Sequence, residues 1–247
     1  MTVSLSALQI RAIVLDIEGT TTTIAFVHET LFPFARRHLT EYLGLHAASP
    51  EFAPIANALR AEHESDLAAG ESPPLWNESS PGLRLRSIAA YCDWLMDRDR
   101  KSTPLKELQG RIWADGYQRG ELVGHVFADV APALARWRSA GQRIAIFSSG
   151  SVHAQRLLFA HSCAGDLSAY LDAYFDTTTG PKREAESYGR IAAALDLAPH
   201  DVLFISDTHA ELDAARGAGM QTRMAIRPGN GGQPGAAHPI VRVFDEI

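Results

Sequence analysis

Ala12-Ile13-Val14-Leu15-Asp16-Ile17-Glu18-Gly19-Thr20 begins as an unbroken apolar run and ends in two acids, a glycine and the first of four consecutive threonines. Four apolar residues in a row, two of them β-branched, suit a strand covered on both faces, the usual state of a central strand in a parallel sheet. Ligands of such sheets sit just past the carboxyl ends of the strands. Asp16 and Glu18 are two positions apart, so in extended backbone their side chains leave the same face, and Gly19 then permits a tight turn. The spacing predicts two carboxylates at one mouth. On its own the stretch also reads as a capping aspartate followed by a solvated loop glutamate, and the rest of the chain has to decide.

Further along, the strand pattern recurs. Arg143–Phe147 is a second buried run and ends in Ser148-Ser149-Gly150-Ser151; Ala173–Asp176 is a shorter one; Asp201–Ile205 leads into Ser206-Asp207; Gln221–Ile226 follows, and a last short strand is expected over Ile240–Phe244. Helical periodicity fills the gaps, so strand and helix alternate from about residue 129 to 228. That alternation indicates an α/β fold with a doubly wound parallel sheet. Arg227–Gly235 is loop by composition.

Between the first two strands the pattern is purely helical. Helices are expected over Phe26–His46, interrupted or restarted at Pro33, then over Ala53–Leu67, and, after the break at Gly70–Pro74, over residues 82–100 and 104–119. The reading is an α/β core domain of residues 1–23 and 126–247, with an all-helical cap domain of residues 24–125 inserted after the first strand.

A formal net charge of −6 and the lack of any run of lysines or arginines argue against nucleic acid as a partner. No stretch approaches the ~18 apolar residues of a membrane span, and Met1–Ser6 lacks the plan of a signal peptide. A cytoplasmic protein is expected, with no membrane partner. Cys92 and Cys163 match neither a metal motif nor a disulfide framework and read as small buried or half-buried fillers. His28, His125, His153 and His209 show no metal-ligand spacing and read as surface or capping residues.

The strand ends carry complementary chemistry: Asp16 and Glu18, Ser148 and Ser149, and Asp207 with Glu211 and Asp213 close behind, with Lys182 between them in sequence. In a parallel sheet these gather at one edge. Singly, Ser148 is a helix cap, Lys182 a solvated surface lysine and Asp207 another cap; jointly they point to one site. A carboxylate cluster binds an anion only if positive charge is supplied, and Mg²⁺ fits, with carboxylate, phosphate and water oxygens as ligands. Lys182 adds a second positive charge and the amides at the Gly150-Ser151 helix start a third contribution. Phosphate monoesters demand an acceleration approaching ~10²¹, or roughly 28 kcal/mol, of which positioning supplies about 7–11 kcal/mol. Covalent catalysis by a carboxylate, assisted by metal and lysine, is the economical arrangement.

These residues resemble the four signature segments of the haloacid dehalogenase superfamily: Asp16-Ile17-Glu18-Gly19-Thr20, Ser148, Lys182 and Ser206-Asp207. More narrowly the chain resembles the enolase-phosphatases of methionine salvage, through Asp16–Thr21, Leu105–Trp113, Phe147–Val152 and Arg227-Pro228-Gly229-Asn230. Glu18, where most superfamily phosphatases have Asp, fits the narrower family. The resemblance implies Asp16 as nucleophile, Glu18 as general acid and then base, and Lys182 as orienting cation. It implies Asp16, the Glu18 backbone carbonyl and Asp207 as Mg²⁺ ligands, and Ser148 and Ser149 as phosphate or substrate contacts. The implied substrate is a small phosphorylated diketone, 2,3-diketo-5-methylthiopentyl-1-phosphate, enolised and then dephosphorylated to the acireductone, in a monomer. It also implies that the cap closes over the site, with Arg100, Lys101, Lys106 and Gln109 as candidate contacts. Three rivals stand beside this reading. They are a phosphatase of the same fold for another phosphomonoester, a hydrolytic dehalogenase, and a binding module that has lost catalysis. Glu18 and Asp207 count against the dehalogenase, which needs neither a metal nor a leaving-group acid.

Overall fold

The computed structural model describes residues 9–229 and 237–247. Asn230 and the remainder of the expected loop through Gly235 lie outside the described residues. The chain forms two compact units, one of Met1–His28 with Val123–Ile247, the other of Glu29–Leu122.

In the first unit six strands, β1 (Ala12–Leu15), β2 (Arg143–Phe147), β3 (Ala173–Phe175), β4 (Val202–Ser206), β5 (Gln221–Ala225) and β6 (Ile240–Val241), form one sheet in the order β3-β2-β1-β4-β5-β6. Every described pairing is parallel. β1 is central: Leu15 pairs with Ile146 of β2 on one side and Ile205 of β4 on the other. The strand order reverses beside β1, and such reversals are where open parallel sheets bind ligands. Buried on both faces, β1 has no need of a polar alternate residue, which is why its sequence reads as continuous apolar.

Helices α5 (Val130–Ser139), α6 (Val152–Ala160), α7 (Ala185–Ala194) and α8 (His209–Gly217) complete this unit. Ala12 and Val14 of β1 join Phe147, Phe204 and Met224 in one core cluster with Tyr188 and Ile191 of α7 and Leu212 of α8. By the strand's period of two, Ile13 and Leu15 serve the opposite face.

The last strand is shorter than expected. β6 ends at Val241, because the backbone of Arg242 is diverted from the ladder: its carbonyl accepts from Arg227 and its N–H donates to the Glu246 carboxylate. Cys92 is buried as expected, but Cys163 is exposed, on the surface loop after α6.

The second unit is helical: α1 (Phe32–His46), α2 (Ala53–Ala68), α3 (Pro81–Met96) and α4 (Thr103–Gln118). Each carries a proline in its first turn, where the missing N–H costs nothing and the fixed φ favours a helix. Ser80 and Ser102 cap α3 and α4 through Leu83 N–H and Leu105 N–H. The expected helix from Phe26 restarts at Pro33, and residues 26–31 are π-helical instead. Leu39, Leu43, Leu59, Tyr91, Leu95 and Leu108 are among the buried residues that form the core of this unit. Gly116 packs directly on the Phe34 ring, leaving no room for a Cβ. Of the expected cap contacts, Gln109 is buried within this unit and Arg100 is paired to Asp66. No helix among the described residues is long and apolar enough to cross a membrane.

Candidate active site

Asp16 is the first residue beyond β1, and its N–H still donates to Ile205 O of β4 at 3.0 Å, so the sheet itself fixes the backbone that carries it. Ile17 O then accepts from the N–H groups of Thr20, Thr21 and Thr22, and Gly19, at φ 73°, donates to Thr22 O at 2.9 Å. A side chain at Gly19 would strain that turn. Thr20, Thr21 and Thr22 are fully buried. The Thr21 hydroxyl lies 3.2 Å from both Asp16 O and Ile17 O, and Thr22 Oγ1 lies 2.9 Å from His125 Nδ1. The Thr23 N–H also points at His125 Nδ1, which makes that nitrogen the acceptor, and burial lowers the His125 pKa. The threonines thus bind the loop to itself.

One oxygen of the Asp16 carboxylate is held by a cation and the other faces a hydroxyl. Lys182 Nζ reaches Oδ1 at 2.7 Å and the Ser206 hydroxyl lies 3.4 Å from Oδ2. Lys182 also reaches Glu211 Oε2 at 2.7 Å, and Ser206 donates to the same oxygen at 3.0 Å. Lys182 is fixed by its own loop: Tyr188 of α7 donates to Lys182 O and the Ser187 hydroxyl to Pro181 O, both at 2.7 Å. Gly180 sits at φ 147° against Ser187, with no space for a Cβ. The ammonium lies 5.6 Å from the centre of the Phe147 ring.

Charge in this cluster does not balance. Burial pulls the Lys182 pKa down, but Asp16 and Glu211 outweigh it and hold it above the usual lysine value. Burial, and next to it the charge of Asp16, push Asp207 up to about 6 and Glu211 up to about 7. One ammonium serves three crowded carboxylates, an arrangement that an added cation with a taste for oxygen relieves. No group of three or more His, Cys, Asp or Glu side chains among the described residues is arranged to hold a metal by itself. The Asp16 and Asp207 carboxylates are oxygen donors of the kind that suits an ion such as magnesium, which keeps several waters and takes one or two carboxylates.

The expected site residues thus fall into groups. Asp16 and Lys182 are in direct contact, and Asp207 is close enough for its carboxyl to feel Asp16, Lys182 and Glu18. Glu18 is half-exposed and hydrogen-bonded to His28 at 2.9 Å. Ser148 and Ser149 follow β2, beside β1; Ser148 is buried, and its Oγ accepts from Gly150 N–H at 3.2 Å within its own loop. Asp213 is not part of the cluster: it pairs with Arg216 and His238. Glu211, given no role by the sequence reading, shares the lysine; its signal was a place in the first turn of α8, four residues after Asp207. Arg227 lies in a segment that carries the family resemblance. Buried 4.1 Å from the Phe244 ring centre, it donates to Thr20 O at 2.8 Å and to Asp129 at 2.7 Å, which steadies the loop after β1.

Residues 10–219 match the model of haloacid dehalogenase-like hydrolases. A relative named Enolase-phosphatase E1 from Synechococcus elongatus is 52% identical over 96% of this chain and 98% of its own length. One of the same name from Drosophila mojavensis is 44% identical over 98% of this chain and 96% of its own. The chain belongs to the enolase-phosphatase family of haloacid dehalogenase-like hydrolases. Among solved structures, the UTR4 protein (Unknown transcript 4 protein) of Saccharomyces cerevisiae superposes with a TM-score of 0.78 at 34% identity, covering 96% of this chain and 100% of that one. Enolase-phosphatase relatives therefore match both units of the chain, the helical one included.

Proposed function

We propose that this protein is a magnesium-dependent enolase-phosphatase. It converts 2,3-diketo-5-methylthiopentyl-1-phosphate into the acireductone 1,2-dihydroxy-3-keto-5-methylthiopentene and phosphate. The observation that carries the reading is the buried Asp16 carboxylate, held on one oxygen by Lys182 and facing Ser206 on the other; near-full-length relatives named Enolase-phosphatase E1 support the activity, and the substrate is the one the family resemblance implies.

In the phosphatase half, Asp16 attacks phosphorus and forms an aspartyl-phosphate as the bond from phosphorus to the substrate oxygen breaks. Glu18 gives that departing oxygen its proton. Glu18 then takes a proton from water as the water oxygen attacks the same phosphorus, which frees phosphate and restores Asp16. Lys182 orients Asp16 and offsets negative charge, and Ser148 and Ser149 donate to phosphate or substrate oxygens. Asp16, Asp207 and the Glu18 backbone carbonyl would hold Mg²⁺, which when bound neutralises charge on phosphoryl and enol oxygens. This chemistry belongs to residues of the α/β unit. We also place the protein in the cytoplasm as a monomer.

The test follows phosphate release and enol absorbance together, with and without Mg²⁺, beside Asp16→Asn. Metal dependence of both signals and loss of phosphate release in the variant support the proposal. Indifference to this substrate, with Mg²⁺-dependent hydrolysis of other phosphomonoesters, removes the substrate assignment and leaves the phosphatase chemistry.

A further inference from the structure

The two acids of the site are held very differently. Asp16 is buried and contacted on both oxygens, whereas the Glu18 side chain is 42% exposed. Among the described residues, the side chain that hydrogen-bonds it is His28, whose Nε2 lies 2.9 Å from Glu18 Oε1. A half-exposed glutamate with no partner samples several rotamers, which is poor preparation for a proton transfer that must meet a departing oxygen within hydrogen-bond reach.

The backbone between the two residues is pinned at each step. The N–H groups of Thr20, Thr21 and Thr22 close on Ile17 O, Gly19 closes on Thr22 O, and Phe26 N–H donates to Thr23 Oγ1 at 3.0 Å where the next helix begins. That helix is π-helical over Phe26–Leu31, an uncommon turn that concentrates at functional sites. The loop's fold thus brings the backbone of His28 within reach of Glu18.

We infer that His28 is a positioning residue for the phosphatase reaction, holding Glu18 Oε1 so that Oε2 is aimed to exchange the proton with the leaving oxygen and with water. This rests on the proposed role of Glu18 as general acid and base. A positioning role has a signature that a structural one lacks. An alkyl phosphate needs its departing oxygen protonated, while p-nitrophenyl phosphate leaves well without help.

The experiment measures single-turnover phosphoryl transfer with Mg²⁺ for an alkyl phosphate and for p-nitrophenyl phosphate, in wild type, His28→Ala, His28→Gln and Glu18→Gln. His28→Ala is expected to slow the alkyl substrate about tenfold and the aryl one less than about twofold, a fraction of the 10²–10⁴ that a general acid supplies. His28→Gln, which keeps a donor, should recover part of the loss, and His28→Ala should cost nothing more in the Glu18→Gln background. Equal slowing of both substrates by His28→Ala, or none, overturns the inference. If Glu18→Gln itself spares the alkyl substrate, the acid role of Glu18 has failed and the inference falls with it. Selective loss in Glu18→Gln beside wild-type behaviour in His28→Ala overturns the inference alone.

Discussion

Asp16 in the α/β unit and Asp66 in the helical unit are each 5% exposed. Asp16 lies 2.7 Å from Lys182 and Asp66 lies 2.6 Å from Arg100. Around Asp66 the carboxylate's own account closes: one oxygen takes Arg100 and the other takes the Tyr91 hydroxyl at 2.6 Å. Around Asp16 it does not close, because Lys182 is shared with Glu211 and the carboxyls of Asp207 and Glu211 are pushed upward. The Asp66 carboxylate is matched by a guanidinium that is 36% exposed, whereas the Asp16 cluster is buried and shares its ammonium among carboxylates. The difference gives a physical criterion for telling scaffold from site when both are made of the same residue types.

The largest test of that contrast is Asp16→Asn. Removing the nucleophile should lower phosphate release on the order of 10⁴-fold or more, with a melting temperature equal to or above that of wild type, since one crowded carboxylate is gone. Lys182→Met should cost about 10²–10³ in kcat and also lower the melting temperature, because two buried carboxylates lose their shared partner. Asp66→Asn should do the reverse of Asp16→Asn. Calorimetry should show a loss of about 1–3 kcal/mol, while kcat/KM stays within about threefold.

Magnesium sharpens the comparison further. At an ion concentration a hundred times its dissociation constant, thermal unfolding should show a gain of about 2.7 kcal/mol in wild type and in Asp66→Asn, and much less in Asp207→Ala. Chelator should reverse it.

The smallest effect concerns a third buried polar group, His238, which faces Thr222 Oγ1 at 2.8 Å and Asp213 at 3.1 Å, with Arg216 and His209 nearby. Burial lowers its pKa below the usual value, and Asp213 only partly opposes this. The unfolded chain therefore binds the proton first, so the stability His238 contributes is intact above about pH 6.5 and is lost as pH falls below it. Melting temperature measured from pH 7.5 to 5.5 should fall more in wild type than in His238→Gln.

The parts of the fold that follow from local pattern were legible in the sequence. β1 announced itself by four apolar residues, and α1 to α4 by helical spacing, with the restart of the first at Pro33. The sheet needed only the alternation of strand and helix. What was hidden depended on partners far away in the chain. Ile240–Phe244 has the apolar content of a longer strand, and only the claim of Arg227 on Arg242 O shows why it stops early. The acidic strand ends were visible as candidates, but that Lys182 touches Asp16 required the fold. So did the place of Glu211, since a glutamate in the first turn of a helix has an ordinary explanation in the helix dipole. His28 looked like a surface residue, and it is one; its exposure is what disguised its contact with Glu18.

The central position of β1 has a consequence for how the molecule is made. In synthesis order β1 emerges first, yet its neighbours are β2 and β4, and the whole helical unit Glu29–Leu122 is translated before either exists. Until β2 and β4 follow, Ala12–Leu15 is an apolar segment with both edges unpaired. Pairings across such separations are slow to form and open to misassociation. The strand that leads to Asp16 is thus the first of the six described strands to be synthesised and must wait for the partners that bury it.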